Sequence, residues 1–239
     1  AWLSGVKEKV STFSLGILPY IIIVGILGIL LKYQSDMDTL IVISVTGIVM
    51  LFWAGARMKY LALLIIGLIT VVGIYAYVNP YAWQRIVTFS DPTSAPQGAG
   101  YQIRQSLIAI GSGQMSGRGF GQSVQKFKYL PEPIGDSIFA VASEEFGFIG
   151  GVSLILFFLF FLFRSFKIAV RAPDIFGTLT AGGIAILIIV ESFMNISSML
   201  GLIPLSGMPL LFISNGGTAL VITLFATGII GNISKFKRE

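Results

Sequence analysis

Four carboxylates, Glu132, Asp136, Glu144 and Glu145, lie within fourteen residues, and two lysines, Lys126 and Lys128, run just ahead of them. The 239-residue chain holds eleven Asp and Glu in all, with no His and no Cys. Imidazole and thiolate nucleophiles, Ser-His-Asp triads, disulfides and zinc sites built on Cys or His are thereby excluded. Acid–base chemistry falls on the carboxylates, with Lys and Tyr in reserve. Glu144 and Glu145 stand at the start of a long apolar run, where a carboxylate is costly and normally faces a bundle interior or a wet cavity. Three acids with Lys126 and Lys128 indicate a polar cavity opening outward. The alternative is an interfacial acid with a salt-bridged pair below it.

The elements that must position these groups are membrane spans. Hydrophobic residues make up 55% of the chain and charged ones 11%, against roughly 25% charged in a soluble domain. A bilayer core needs about 20 apolar residues per helix. Six runs qualify: Phe13–Leu31, Thr39–Ala56, Tyr60–Val78, Ile138–Phe163, Phe176–Leu200 and Leu210–Ile233. An all-α integral membrane protein of six helices is expected, one membrane domain over 1–239 with a long loop at 79–137. No charged segment with a small-residue cleavage site precedes the first run, so a cleaved signal peptide is not expected.

With a cytoplasmic N-terminus, the inner segments hold Lys7, Lys9, Arg57, Lys59, Arg164, Lys167, Arg171, Lys235, Lys237 and Arg238. The short outer loops hold only Lys32. Both termini are therefore expected in the cytoplasm, with 79–137 outside. This asymmetry accounts for the net charge of +5 without nucleic acid as a partner.

Within the loop, Ile103, Leu107 and Ile110 share a helical face over Gly100–Gly111. That helix lies at the membrane surface or packs on the spans. Gly111, Gly113, Gly117, Gly119 and Gly121 fit neither the dinucleotide fingerprint nor the Walker loop. They permit positive φ and a close backbone approach to other helices or a substrate. On the fifth span, Glu191 and Asn195 share a face, for an interhelical hydrogen bond or as a wall of the same cavity.

Taken in order, Gly98-Ala-Gly-Tyr-Gln, Gln105-Ser-Leu-Ile-Ala-Ile-Gly-Ser-Gly113, Gly119-Phe-Gly-Gln-Ser-Val-Gln-Lys126, Tyr129-Leu-Pro-Glu132, Asp136 and Glu144-Glu-Phe-Gly-Phe-Ile-Gly150 carry a family likeness. With Gly207-Met-Pro-Leu-Leu-Phe-Ile-Ser-Asn-Gly-Gly217, they resemble the SEDS family (shape, elongation, division and sporulation), its FtsW branch more than its RodA branch. The resemblance implies an inner-membrane glycosyltransferase that polymerises lipid II into peptidoglycan. It also implies ten spans, of which these six match the last, so the chain is expected to be a C-terminal fragment. Where the family usually reads His-Thr-Asp, this chain reads Ile134-Gly135-Asp136.

By the same resemblance Asp136 is the catalytic acid. It serves as general base toward the acceptor's 4-hydroxyl, which attacks C1 of the donor with inversion. Lys126, Arg85 and Arg104 stabilise the pyrophosphate, because a charged leaving group needs cations or metal. Gln105 joins them as a substrate-binding residue. Glu145, with Glu144, shapes the cavity or holds a divalent cation, Mg or Mn. The implied partners are lipid II, the growing glycan strand, a class B penicillin-binding protein and other division or elongation proteins. The competing readings are a lipid II flippase and a non-catalytic scaffold of the division machinery.

Overall fold

A computed structural model describes residues 2–6, 10–91 and 98–236, together with the main chain but not the side chain of Lys128. Lys7, Lys9, Lys237 and Arg238 of the charge asymmetry lie outside the described residues. The described residues form helices and turns with no strand: α1 (Trp2–Val6), a π-helical turn (Phe13–Ile17) leading into α2 (Leu18–Gln34), α3 (Met37–Trp53), α4 (Met58–Val78), α5 (Pro80–Ser90), α6 (Ala99–Ser112), α7 (Gln125–Lys128), α8 (Ile138–Val170), α9 (Ile175–Met199) and α10 (Gly217–Ile233). Phe13–Gln34, Met58–Val78, Ile138–Val170 and Ile175–Met199 are long and apolar enough to cross a bilayer, whereas Met37–Trp53 and Gly217–Ile233 are shorter apolar helices. The last apolar run starts later than its composition indicates. Residues 210–216 form turns, and Leu210 and Leu211 are buried outside any helix.

The chain falls into two compact units. One comprises 1–74, 161–190 and 225–239. Its helices approach closely through small residues. A Cβ on Gly182 would lie 1.8 Å from the Trp53 ring, and Ala169, Ala181 and Ala185 are fully buried around Ile230. The Tyr20 hydroxyl, buried among these helices, donates to the Ser44 carbonyl at 2.8 Å. Asp36 starts α3 by accepting from the Thr39 N–H and hydroxyl at 3.1 and 2.6 Å, the usual work of an N-cap side chain.

The other unit comprises 75–160 and 191–224 and holds every side chain expected to do chemistry. Three of the described helices sit in the long loop, α5, α6 and the short α7. α5 starts on Asn79, whose side chain accepts from the Tyr81 and Ala82 N–H groups, with Pro80 at the first helical position. α6 packs through Gly100, Ile103, Ser106 and Ala109, and the Ser106 hydroxyl reaches the Met199 sulfur at 3.4 Å. This is the packed arrangement of the two expected for it. Leu107, expected on the apolar face, is 42% exposed, because the small residues Ser106 and Ala109 take the contact instead.

Candidate functional site

α8 contains Gly147 with φ 68° and ψ −165°, which no continuous helix accommodates. Such a break frees the Glu144 and Glu145 carbonyls and the Phe148 and Ile149 N–H groups, which an unbroken helix pairs with one another. The glycine-rich loop takes up all four. Arg118 and Gly119 N–H donate to the Glu144 and Glu145 carbonyls, each at 3.0 Å. Phe148 and Ile149 N–H donate to the Gln114 and Met115 carbonyls at 2.8 and 3.2 Å. Gly117 has φ 81°, and a Cβ there would lie 2.1 Å from the Glu145 carbonyl oxygen. The close approach expected of these glycines is present, and its partner is the chain's own broken helix.

The two glutamates at the break point back into the same loop. Glu144 is completely buried. Its Oε2 accepts from the Ser123 hydroxyl at 2.6 Å and the Gln125 N–H at 3.2 Å, and its Oε1 from the Val124 N–H at 3.1 Å. Arg118 Nε stands 3.4 Å from Oε1. The carboxylate thus caps α7, satisfying helix-start N–H groups that no side chain of α7 serves. Glu145 Oε1 receives the Lys126 ammonium at 2.5 Å and the Ser123 N–H at 3.4 Å.

This corrects the expected cavity wall: the salt-bridged pair is what the geometry presents, and Glu144 offers no oxygen to a ligand. A divalent cation does not fit this pair either. Lys126 and Arg118 already bring positive charge to the oxygens, and no group of three or more Asp, Glu, His or Cys side chains converges among the described residues.

Asp136 is held differently. It lies in the turn 131–137 ahead of α8, partly buried. The Asn195 amide, fully buried on α9, donates to the Asp136 carbonyl at 2.7 Å and to the Met208 carbonyl at 2.6 Å. The Ser214 hydroxyl donates to the Gly135 carbonyl at 2.8 Å, and the Asn215 N–H to the Ile134 carbonyl at 2.8 Å. Ser137 donates to the Pro131 carbonyl at 2.9 Å while accepting from the Gln102 amide of α6 at 3.1 Å.

The main chain of the turn is therefore fixed from α6, from α9 and from the 207–216 segment. Among the described residues no donor hydrogen-bonds the Asp136 carboxylate. Burial pushes its pKa above the usual 3.8, the Glu132 carboxylate pushes it further, and Arg85 draws it back. Gly207 runs close by: a Cβ there would be 3.5 Å from Asp136 Oδ2.

Arg85, on α5, is the expected cation that the structure brings to Asp136. Its guanidinium donates to the Tyr81 hydroxyl at 3.0 Å and lies 4.8 Å from that ring's centroid. Lys126 is brought to Glu145 instead, and among the described residues the charges acting on Asp136 are those of Glu132 and Arg85. Arg104 and Gln105 are partly buried on α6, whose link to the Asp136 turn runs through Gln102. Ser123, Arg118, Gln102 and Ser214 were not singled out from sequence. Asn195 was, as one end of an interhelical bond, and its bond goes to the Asp136 turn.

The chain matches the cell cycle protein family of FtsW, RodA and SpoVE over residues 1–239. Stage V sporulation protein E of Bacillus subtilis (strain 168) is 42% identical over 238 residues, 99% of this chain and 65% of the relative. The probable peptidoglycan glycosyltransferase FtsW of Geobacter sp. (strain M18) is 40% identical over 230 residues, 95% of this chain and 62% of the relative. The chain thus spans a little under two thirds of the length of these curated relatives. A chain from a peptidoglycan synthase complex that coordinates polymerization and crosslinking shares the fold, with a TM-score of 0.76 at 23% identity over 98% of this chain and 66% of that one. A mutant of the Thermus thermophilus rod shape-determining protein RodA does so with a TM-score of 0.63 at 20% identity, over 100% and 64%.

Proposed function

The chain belongs to the FtsW/RodA/SpoVE cell cycle protein family and is a multi-pass inner-membrane protein, and from that premise we propose that it is the C-terminal part of a peptidoglycan polymerase. The substrates are a lipid-linked glycan donor and lipid II. The observation that carries the reading is the Asp136 turn, whose main chain is pinned at Ile134, Gly135 and Asp136 while the carboxylate receives no hydrogen bond among the described residues.

Asp136 takes the proton from the acceptor's 4-hydroxyl as that oxygen bonds to C1 of the donor sugar. The C1–O bond to the pyrophosphate breaks on the opposite face, and the lipid pyrophosphate leaves with the electron pair. A base needs an accessible lone pair and a pKa drawn toward the working pH, and the upward shift of Asp136 acts in that direction. Arg85 supplies positive charge next to the reacting centre, where negative charge develops. Arg104 and Gln105 extend the polar face of α6 toward the substrate. Lys126, paired with Glu145, serves the site by holding the glycine loop.

The Lys and Arg residues of the inner segments support a cytoplasmic N-terminus, and with that orientation Asp136 faces the outer surface, where lipid-linked sugars are polymerised. The partner is a class B penicillin-binding protein, which crosslinks the strand as it emerges. The test uses the full-length protein, reconstituted with that partner and supplied externally with labelled lipid II. Glycan polymer from the wild type and none from Asp136→Asn, with equal amounts in the membrane, is the expected result. Labelled lipid crossing the bilayer without polymer overturns the reading in favour of a flippase.

A further inference from the structure

The last two turns of α8 carry Arg164 and Lys167, and Arg171 follows directly after its end, at spacings i, i+3 and i+7 that continue one helical face. Ile168 joins that face, and Ile233, Ser234 and Phe236 from the end of α10 close it, leaving a cleft of about 320 Å³. All three cations are exposed, and among the described residues none has an ion pair or hydrogen bond through its side chain. The nearest acid along the chain, Asp174, is committed to the start of α9, where it accepts from the Gly177 N–H at 2.8 Å. The carbonyl end of α8 adds about half a negative charge, far less than three full positive ones. The cleft is therefore strongly electropositive, and among the described residues no anion lies in it.

Its position restricts what can neutralise it. Leu156, Phe157, Phe160 and Phe163 are exposed along α8 just before Arg164, and Leu224 and Phe225 are exposed on α10. Such apolar surface belongs in hydrocarbon, and the cations begin where it ends, at headgroup depth. Topology alone explains basic residues at that depth. It does not explain a cleft with three cations, unpaired among the described residues, on one wall and Ile168, Ile233 and Phe236 on the others. A phosphate ester on a glycerol carrying acyl chains has this shape, an anion at one end and apolar carbon at the other.

We propose that this cleft binds the headgroup phosphate of an anionic phospholipid, with Arg164, Lys167 and Arg171 on the phosphate and Ile233 and Phe236 along the glycerol and first acyl carbons. The proposal does not depend on the polymerase reading.

The test is native mass spectrometry of the full-length protein in detergent, titrated with phosphatidylglycerol, with phosphatidylcholine and with soluble glycerol 3-phosphate. Each basic residue near an anionic lipid surface contributes about fivefold to binding. Lys167→Gln should weaken phosphatidylglycerol binding about fivefold, and Arg164→Gln, Lys167→Gln and Arg171→Gln together about a hundredfold. Lys32→Gln, Arg57→Gln and Lys59→Gln together remove the same charge elsewhere and should change it by less than about twofold. If the triple cleft variant does not fold, the exposed Lys167→Gln change decides. Equal losses in cleft and control variants overturn the proposal, as does wild-type binding of phosphatidylcholine as tight as of phosphatidylglycerol. Glycerol 3-phosphate displacing the lipid at equal concentration also overturns it, by assigning the cleft to a soluble phosphate.

Discussion

Glu144 and Asp136 stand eight residues apart and meet opposite surroundings. Around Glu144 the fold supplies two backbone N–H groups, a serine hydroxyl and a guanidinium, and the carboxylate is sealed from solvent. Around Asp136 the hydrogen bonds go to the main chain, from Asn195, Ser214 and Asn215 to three successive carbonyls. Donors converging on a buried carboxylate occupy the oxygens that a substrate proton would have to reach. Donors on the neighbouring carbonyls fix its position and leave its basicity alone. The first acid is thus built to hold a loop, and the second to be held.

The largest expected effect bears on that contrast directly. Asp136→Asn keeps the shape of the turn and replaces the carboxylate proposed to take the proton with a non-basic amide, so polymerisation should fall by about 10²–10⁴. Its effect on folding should be neutral or favourable. Because the folded pKa of Asp136 is raised, its contribution to stability is complete below 3.8 and is lost as pH rises through the folded value. An uncharged Asn retains that stability at pH 7. Thermal unfolding of the full-length protein checks this, and a clear drop in melting temperature would place Asp136 with Glu144 among the structural acids.

Glu144→Gln should show the reverse pattern. It leaves Arg118 and the N–H groups of Val124 and Gln125 facing an amide, at a cost of about 3 kcal/mol. The expected readout is a lower melting temperature and less protein in the membrane, with turnover per folded molecule changed less than about threefold. A stable but inactive variant would return Glu144 to the catalytic group.

Asn195→Ala separates position from chemistry. It removes both donors that hold the Asp136 and Met208 carbonyls while leaving the base intact. A displaced base costs up to about 10²-fold, so kcat should fall about 10- to 100-fold with KM little changed. Loss of binding as well would mean that Asn195 touches substrate.

The sequence announced the participants better than their assignments. Apolar run lengths located the helices because burial in lipid leaves a composition signal that needs no partner. The glycine spacing announced a close approach for a similar reason, since only Gly tolerates Gly117's φ beside another backbone. It did not announce that the visitor is the break at Gly147, because one glycine inside an apolar helix reads the same whether the helix continues or opens. For that reason Glu144 and Glu145 read as lining a cavity. Lys126 followed them, since proximity in sequence to Asp136 was the visible signal and its bond to Glu145 depends on the loop folding back. Ser214 gave no signal, because a hydroxyl serving a carbonyl 79 residues away leaves no local pattern. Likewise α5, eleven residues inside the interval read as a loop, was not located from sequence.

The smallest expected effect tests the electrostatics of the comparison. Activity should fall on acidification as Asp136 takes up a proton, with the acid limb above the usual 3.8. Glu132 raises that pKa and Arg85 lowers it, so Glu132→Gln should move the limb to lower pH and Arg85→Gln to higher pH. The Glu132 substitution is a fair one: its left-handed φ of 45° strains Gln as much as Glu, and the bonds from Gly135 and Ser137 N–H to its carbonyl are untouched. Glu132 is exposed, so its share should shrink as salt screens it, while the part due to burial should persist. Lys126→Gln should leave the limb in place, since the Lys126 charge is spent on Glu145. If Lys126→Gln moves it as far as Arg85→Gln does, the two acidic regions form one electrostatic site and the division between holding and held acids fails.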